Sequence, residues 1–278
     1  MIVDAHQHFW QLARGDYRFP RPDDRVLHHD FLPEMLAPIL GEAGVSSTVL
    51  VQATDTLAET AFLLDLAARS AFIAGVVGWW DPRTPDALDD LLRLPGRAKL
   101  VGVRPMLQGL ADISWLLAPH AVAELARLAG LGLVFDALVE PRQLSVIANL
   151  SRRLPHLKIV IDHMGKPWRT PGVLGDWAAA MADLATLENC AVKISGFPFA
   201  AGPPSPAEAL DVIVALLRQR FGAARLLWGS DWPVVEREGG YAMALARMRL
   251  LIPEAAQPAV FGNNAISTYG LKIGAGMA

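Results

Sequence analysis

Eight short runs rich in Val, Ile, Leu and Ala, each followed by a longer stretch of helical periodicity, constrain this chain more than any other feature. They lie at Ile2–Phe9, Ser47–Ala53, Ile73–Trp79, Leu100–Met106, Leu133–Val139, Lys158–His163, Ala191–Ser195 and Leu226–Asp231. The intervening segments include Leu57–Arg69, Ala121–Leu128 and Ala207–Arg220, whose apolar spacing predicts helices. Strand and helix in alternation predict a parallel sheet covered by helices, and eight such units favour closure into a barrel. The fold class expected is therefore α/β, a single (β/α)8 TIM barrel, with residues 1–278 forming one domain. A hydrophobic fraction of 53% supplies both a barrel interior and a barrel–helix interface. The competing architecture, an open doubly wound sheet, would carry a G-x-G-x-x-G turn after a strand, and none is present.

Charge and composition narrow the partners. A formal net charge of -3 without any basic run gives nucleic acid nothing to hold, so the expected partner is a small-molecule substrate. No uncharged apolar stretch of about 18 residues occurs, and the run from Ile2 to Trp10 carries Asp4, His6 and His8, unlike a signal segment. No membrane association and a cytoplasmic location are the expectations. The single cysteine, Cys190, excludes an internal disulfide and is expected inside a strand. Oligomeric state leaves no mark in the sequence.

Polar residues at strand ends point to a site, because the C-terminal ends of barrel strands open into one mouth. Strict alternation puts Asp4, His6 and His8 on one face of the first strand. His163 ends the sixth run and Asp231 the eighth, so in a closed barrel His6, His8, His163 and Asp231 can converge. Three imidazoles and a carboxylate can hold one divalent metal, zinc first among the candidates, and thereby acidify a water. They can equally work without metal, Asp231 accepting a proton from water while the histidines hold an ester carbonyl. Spacing leaves both open, so the cofactor expectation is none or one divalent metal.

Arg104, near the end of the fourth strand, could bind a carboxylate or polarise a carbonyl. Gln52 and Asp136 sit late in their strands and suit either substrate contact or a polar network beneath the site. Lys193 shares a face with Ser195 and needs a partner if buried, whereas Asp162, beside His163, reads as structural. Trp10, Trp79, Trp80, Trp168 and Trp232 fall at or just past strand ends and could pack on a small ring such as a sugar lactone. His6, His8, Gln52, Trp80, Asp136 and Trp232 are the candidate substrate contacts. The turn-rich segment Gln11–Phe31 is expected as a loop over the mouth, and the tail Gly274–Ala278 is expected to fray. His28, His29, His120 and His156 have no such placement and read as loop or surface groups.

The segments Ile2-Val-Asp-Ala-His-Gln-His-Phe-Trp, Val160-Ile-Asp-His-Met-Gly-Lys-Pro and Leu227-Trp-Gly-Ser-Asp-Trp-Pro resemble the metal-independent or mononuclear branch of the amidohydrolase superfamily (amidohydrolase-2 type). More narrowly they look like its sugar-lactonase group, which includes fuconolactonases and rhamnonolactonases and is related to pyrone dicarboxylate lactonases. The resemblance covers nearly the whole chain, Phe261-Gly-Asn-Asn-Ala and Tyr269 matching a closing helix. It implies that His6 and His8 are the first-strand pair, His163 the later histidine, Asp231 the water-activating aspartate and Arg104 a substrate-facing arginine. The chain departs from the binuclear members, with Arg104 in place of a bridging Lys or Glu and Asp136 in place of His, so a two-metal centre is not expected. The implied enzyme is a hydrolase opening a small lactone of a sugar acid, in carbohydrate catabolism, with Asp231, His163 and Arg104 catalytic. A metal-dependent decarboxylase on the same framework is the alternative, and a non-catalytic ligand-binding barrel a third reading.

Overall fold

A computed structural model of the chain describes residues 1–169, 172, 174–198 and 206–273; the Gly274–Ala278 tail lies outside them. All eight expected strands form: β1 (Val3–Gln7), β2 (Ser47–Val51), β3 (Ile73–Gly78), β4 (Leu100–Val103), β5 (Val134–Ala137), β6 (Ile159–Ile161), β7 (Cys190–Ile194) and β8 (Leu226–Trp228). They are parallel and ordered β1 to β8 in one sheet. Most stop short of the residues the apolar pattern reaches, because the last polar positions have left the ladder to form the mouth. The barrel closes just beyond β8, where His8 N donates to the Trp232 carbonyl at 2.7 Å and Asp231 N to the His6 carbonyl at 2.8 Å. Those closing bonds hold Asp231 beside the first-strand histidines.

Helices cover the outside: α1 (Pro33–Ala43), α2 (Leu57–Arg69), α3 (Ala87–Leu92), α4 (Pro119–Gly130), α5 (Leu144–Arg153), α6 (Leu174–Ala185), α7 (Pro206–Phe221) and α8 (Tyr241–Leu251). Local chemistry sets their ends. Pro33 and Pro119 start α1 and α4, where a missing N–H costs nothing. Thr56 caps α2 by accepting from Glu59 N. In α5 the buried positions Leu144, Ile147, Ala148 and Ser151 recur at helical spacing, and Arg152 and Arg153 fall in the last turn, where the helix dipole favours cations.

The inside of the barrel is a separate small core of Val3, Ala5, Val49, Val51, Val77, Val134, Val160, Ala191 and Leu227. A short closing helix, α9 (Asn264–Tyr269), plugs its N-terminal end with Ala265 and Tyr269, followed by Leu271. Each of the larger side chains contributes about 1.5–3 kcal/mol on full burial, so this layer fixes the floor beneath the mouth. Cys190 is buried in β7, as expected, and its thiol faces the Ser151 hydroxyl at 3.2 Å. Among the described residues no helix is long and apolar enough to cross a membrane.

One sequence expectation fails in β1. The register against β2 shifts between Asp4 and Gln7, and this bulge breaks the alternation that would have grouped Asp4 with His6 and His8. Asp4 instead faces outward, accepting from Ser230 N at 2.9 Å and from the Tyr241 hydroxyl of α8 at 3.0 Å. His6 turns into the mouth. Burial pushes the Asp4 carboxyl up to about 6, and its hydrogen bonds tie β1 to the β8 loop.

Candidate active site

Three backbone devices aim the side chains. On β1 the bulge turns His6 inward, and His8 follows with Nδ1 donating to the Val51 carbonyl at 2.7 Å. That bond turns His8 Nε2 toward Asp231 Oδ1, 3.3 Å away. After β6 the chain enters a left-handed run: His163 (φ 51), Met164 (φ 55), Gly165 (φ 66) and Lys166 (φ 51). Non-glycine residues in such conformations cost about 1–3 kcal/mol each and persist where surroundings enforce them. Here Trp177 Nε1 donates to the Met164 carbonyl at 2.8 Å, and Lys166 N donates to the His163 carbonyl at 2.9 Å. Asp231 is left-handed as well, with φ 60.

Two glycines make room for this. At Gly196 a Cβ would overlap the His163 ring, and at Gly229 it would lie 2.6 Å from His6 Cβ. His163 Nδ1 meets the Ser195 hydroxyl at 2.9 Å, so β7 positions that ring both by what it offers and by what it omits.

Beneath the histidines lies a buried layer of charge. Lys193, fully buried, pairs with Asp136 at 2.5 Å and Asp162 at 3.2 Å, and its Nζ is 3.3 Å from His6 Nδ1. The Tyr269 hydroxyl reaches up from α9 to both Asp136 oxygens at 2.8 and 3.0 Å. Arg104 joins from β4, with Nη1 3.3 Å from Asp162 and Nη2 donating to the Gln52 carbonyl, while Gln52 Nε2 donates to the Arg104 carbonyl at 2.7 Å. Burial works against the Asp162 anion, but Lys193, His6 and Arg104 outweigh it and hold its carboxyl well below the ordinary range. Burial carries Asp136 up to about 6 against the pull of Lys193. Burial also holds His6 and His163 well below the usual imidazole value, so both are neutral at pH 7. For Asp231 burial is again opposed, by His163, His8 and Lys166, and the carboxyl stays below 3.8. It is ionised at neutral pH.

Above this layer opens a cavity of about 350 Å³. His8, His163, Asp231 and Arg104 stand in its walls with Trp10, Trp168 and Phe19. Phe19 belongs to the Gln11–Phe31 loop, whose ends are joined by paired bonds between Trp10 and Phe31, so this loop does cover the mouth. The walls do not include Gln52, Trp80, Asp136 or Trp232, which are buried beneath or beside the cavity. Gln52 is engaged with Arg104, and Asp136 with Lys193 and Tyr269. Trp232 is buried against Phe9 and Phe31, and Trp80 lines a neighbouring pocket of about 60 Å³ together with Trp79. His6 lies behind His8, with their Nε2 atoms 3.1 Å apart. Sequence reasoning missed Lys166, Gln108 and Arg237, which also line the cavity. Lys166 carried a signal, three residues past His163 in a segment already singled out; Gln108 and Arg237 carried none.

The amidohydrolase family model matches residues 3–271. The chain belongs to the amidohydrolase family. Two curated relatives named L-fucono-1,5-lactonase are similar to this amidohydrolase. One, from Burkholderia ambifaria, is 41% identical over 275 residues, covering 96% of this chain and 94% of the relative. The other, from Burkholderia multivorans, is 34% identical over 286 residues, covering 97% and 96%. A crystal structure of an amidohydrolase from Burkholderia multivorans with bound zinc superposes with a TM-score of 0.91 at 32% identity, covering 98% of this chain and all (100%) of that one.

The donor set of this amidohydrolase fits one divalent ion. One ligand atom each from His6, His163 and Asp231 lie within 4.8 Å of one another. The edges among His6 Nε2, His8 Nε2 and Asp231 Oδ1 are 3.1, 3.3 and 3.6 Å. Neighbouring ligands on a tetrahedral ion with bonds of about 2.1 Å are separated by about 3.4 Å. His8 and His163 each engage their other ring nitrogen, with Val51 and Ser195, as histidine ligands commonly do. A second divalent ion does not fit at His6 Nδ1, because Lys193 already places a cation 3.3 Å from it.

Proposed function

We propose that this amidohydrolase opens a small sugar-acid lactone by adding water to its acyl carbon. The observation that carries the reading is Asp231, an ionised carboxylate 3.3 Å from His8 Nε2 in the wall of a cavity with room for one small ring. The two relatives named as L-fucono-1,5-lactonases support a six-membered aldonolactone as the substrate class.

Asp231 accepts a proton from water as the water oxygen bonds to the acyl carbon, and the carbonyl electron pair moves onto oxygen. Collapse re-forms the carbonyl and breaks the bond to the ring oxygen, which takes the proton from Asp231. The product is an open hydroxy acid. The Asp231 N–H bond to the His6 carbonyl holds the carboxylate beside His8, whose Nε2 lies 3.3 Å from Oδ1, and neutral His163, braced by Ser195, packs beside the reacting carbon. When a divalent ion, zinc foremost, is held by His6, His8, His163 and Asp231, it supplies Lewis acidity to the carbonyl and acidity to water.

The test is proton release from a panel of aldonolactones by metal-stripped protein, with and without added zinc or manganese. Release with formation of the hydroxy acid is expected. Silence on every lactone, with carbon dioxide released from small carboxylic acids, would replace the lactonase by the decarboxylase reading.

A further inference from the structure

We infer that Lys166 is a catalytic residue of this site, its ammonium donating to the acyl oxygen as negative charge develops there. The inference rests on the lactonase reading and supplies what that reading lacks. Asp231 accounts for the water proton, whereas the oxyanion needs an N–H donor aimed at the cavity, a contribution usually worth about 10²–10³ in rate.

His8, Arg104 and Arg237 in the wall are engaged elsewhere, Arg104 through both Nη atoms. His8 spends its Nδ1–H on Val51, and its Nε2 faces Asp231 and His6. Arg104 directs Nη2 to the Gln52 carbonyl, and its charge is drawn down to Asp162 in the layer beneath. Arg237 pairs with Asp24 and stands over the Phe19 ring at 5.4 Å, on the covering loop.

Lys166 is placed differently. Its backbone N–H closes on the His163 carbonyl at 2.9 Å, so the two residues share one tight turn. In a strand, residues three apart point to opposite faces; the left-handed run from His163 to Lys166 brings both side chains into the same cavity. Lys166 Nζ lies 2.5 Å from Gln108 Oε1, and Gln108 is itself part of the cavity wall, which holds the ammonium at the mouth. Lys166 also lowers the pKa of both His163 and Asp231, so its charge reaches the two groups that flank the reacting carbon. The left-handed turn delivers an imidazole and an ammonium to one substrate. Lys166 keeps its proton throughout: it stabilises the oxyanion while Asp231 carries the transferred proton from water to the departing ring oxygen.

The test uses the full chain and whichever aldonolactone it hydrolyses. Lys166→Met should lower kcat by about 10²–10³ with KM changed only several-fold. It should also weaken inhibition by the hydroxy-acid product about tenfold, because the product carboxylate occupies the same donor. Lys166→Arg, which keeps the cation, should recover at least tenfold over the Met variant. Gln108→Leu leaves Lys166 in place but removes its tether, and should lower kcat about tenfold; it keeps the question answerable if Lys166→Met does not fold. A kcat within threefold of wild type in folded Lys166→Met, or in Gln108→Leu if the Met variant does not fold, overturns the assignment. Wild type that opens no lactone removes the lactonase reading itself, and the Lys166 role with it.

Discussion

The ends of β1, β6 and β8 and the ends of β2 to β5 face the same mouth, yet they are built for opposite purposes. On the first side, His8, His163 and Asp231 each commit part of their hydrogen-bonding capacity to the scaffold and keep the rest for the cavity. On the second, the protein takes up most of the polar capacity, leaving Gln52 Oε1 and Arg104 Nε without a hydrogen-bond partner among the described residues. Gln52 and Arg104 exchange bonds to each other's carbonyls, and Asp136 is locked between Lys193 and Tyr269. A polar residue at a barrel strand end is therefore not a site residue by position alone. What separates the two sides is how much of each residue's donor and acceptor capacity the neighbouring strands take up.

The sharpest break of that comparison is Asp231→Asn. Removing the base while keeping the shape should lower kcat by about 10³ or more, with the unfolding midpoint within a few degrees of wild type. Turnover near wild type would take Asp231 out of the mechanism and leave the first side without a base.

The second side should answer in stability through Lys193, the cation that β7 supplies to Asp136. Lys193→Met leaves Asp136 buried without its cation and Asp162 with Arg104 alone, and deleting one partner of a buried pair typically costs about 3–5 kcal/mol. Urea unfolding measures this. If Lys193→Met kept full stability while losing turnover, the buried layer would belong with the chemistry and the division between the two sides would fail.

How far the sequence could see follows the same line. Period-two apolar runs and helical spacing are properties of local chain chemistry, and they located all eight strands. His6, His8, His163 and Asp231 were legible because each ends such a run. Asp4 was misplaced because a bulge in β1 depends on pairing with β2, which no local pattern records. The burial of Gln52 and Asp136 outside the cavity wall was hidden for a related reason: their partners Arg104, Lys193 and Tyr269 are far away in sequence. Lys166 and Gln108 lie beyond the strands, on turns whose course is set by packing.

Gly196 gives a smaller test of the first side. An alanine there would press on the His163 ring from β7 and would also have to adopt φ 62. Gly196→Ala is expected to lower kcat by about 10²-fold, comparable to the loss that an ångström of misplacement can cause, and to destabilise by about 1–2 kcal/mol. Steady-state kinetics beside thermal unfolding distinguishes the two effects, and unchanged kcat would mean that His163 need not sit where Ser195 holds it.

The smallest effect belongs to the second side and concerns pH. The Glu59 carboxylate, at the start of α2, accepts from Ala53 N at 2.9 and 3.1 Å and from Thr54 N at 3.0 Å, fixing the β2–α2 turn where Ala53 meets the cavity. Burial raises its carboxyl to about 7; the backbone donors and Arg104 oppose the shift, and Asp16 adds to it. Between the ordinary 4.5 and about 7 the folded chain holds a proton that the unfolded chain releases, so stability falls as pH rises through that window. The slope reaches at most about 1.4 kcal/mol per pH unit and vanishes above the window. Asp4 and Asp136, raised to about 6, act in the same sense at lower pH, whereas neutral His6 and His163 act in the opposite sense below 6.5. The difference in unfolding free energy between wild type and Glu59→Gln cancels those contributions and should decline from pH 5 to 7. A flat difference would mean that the Glu59 carboxylate is ionised throughout, its three backbone bonds outweighing burial, and that the β2–α2 turn carries a permanent charge under the cavity wall.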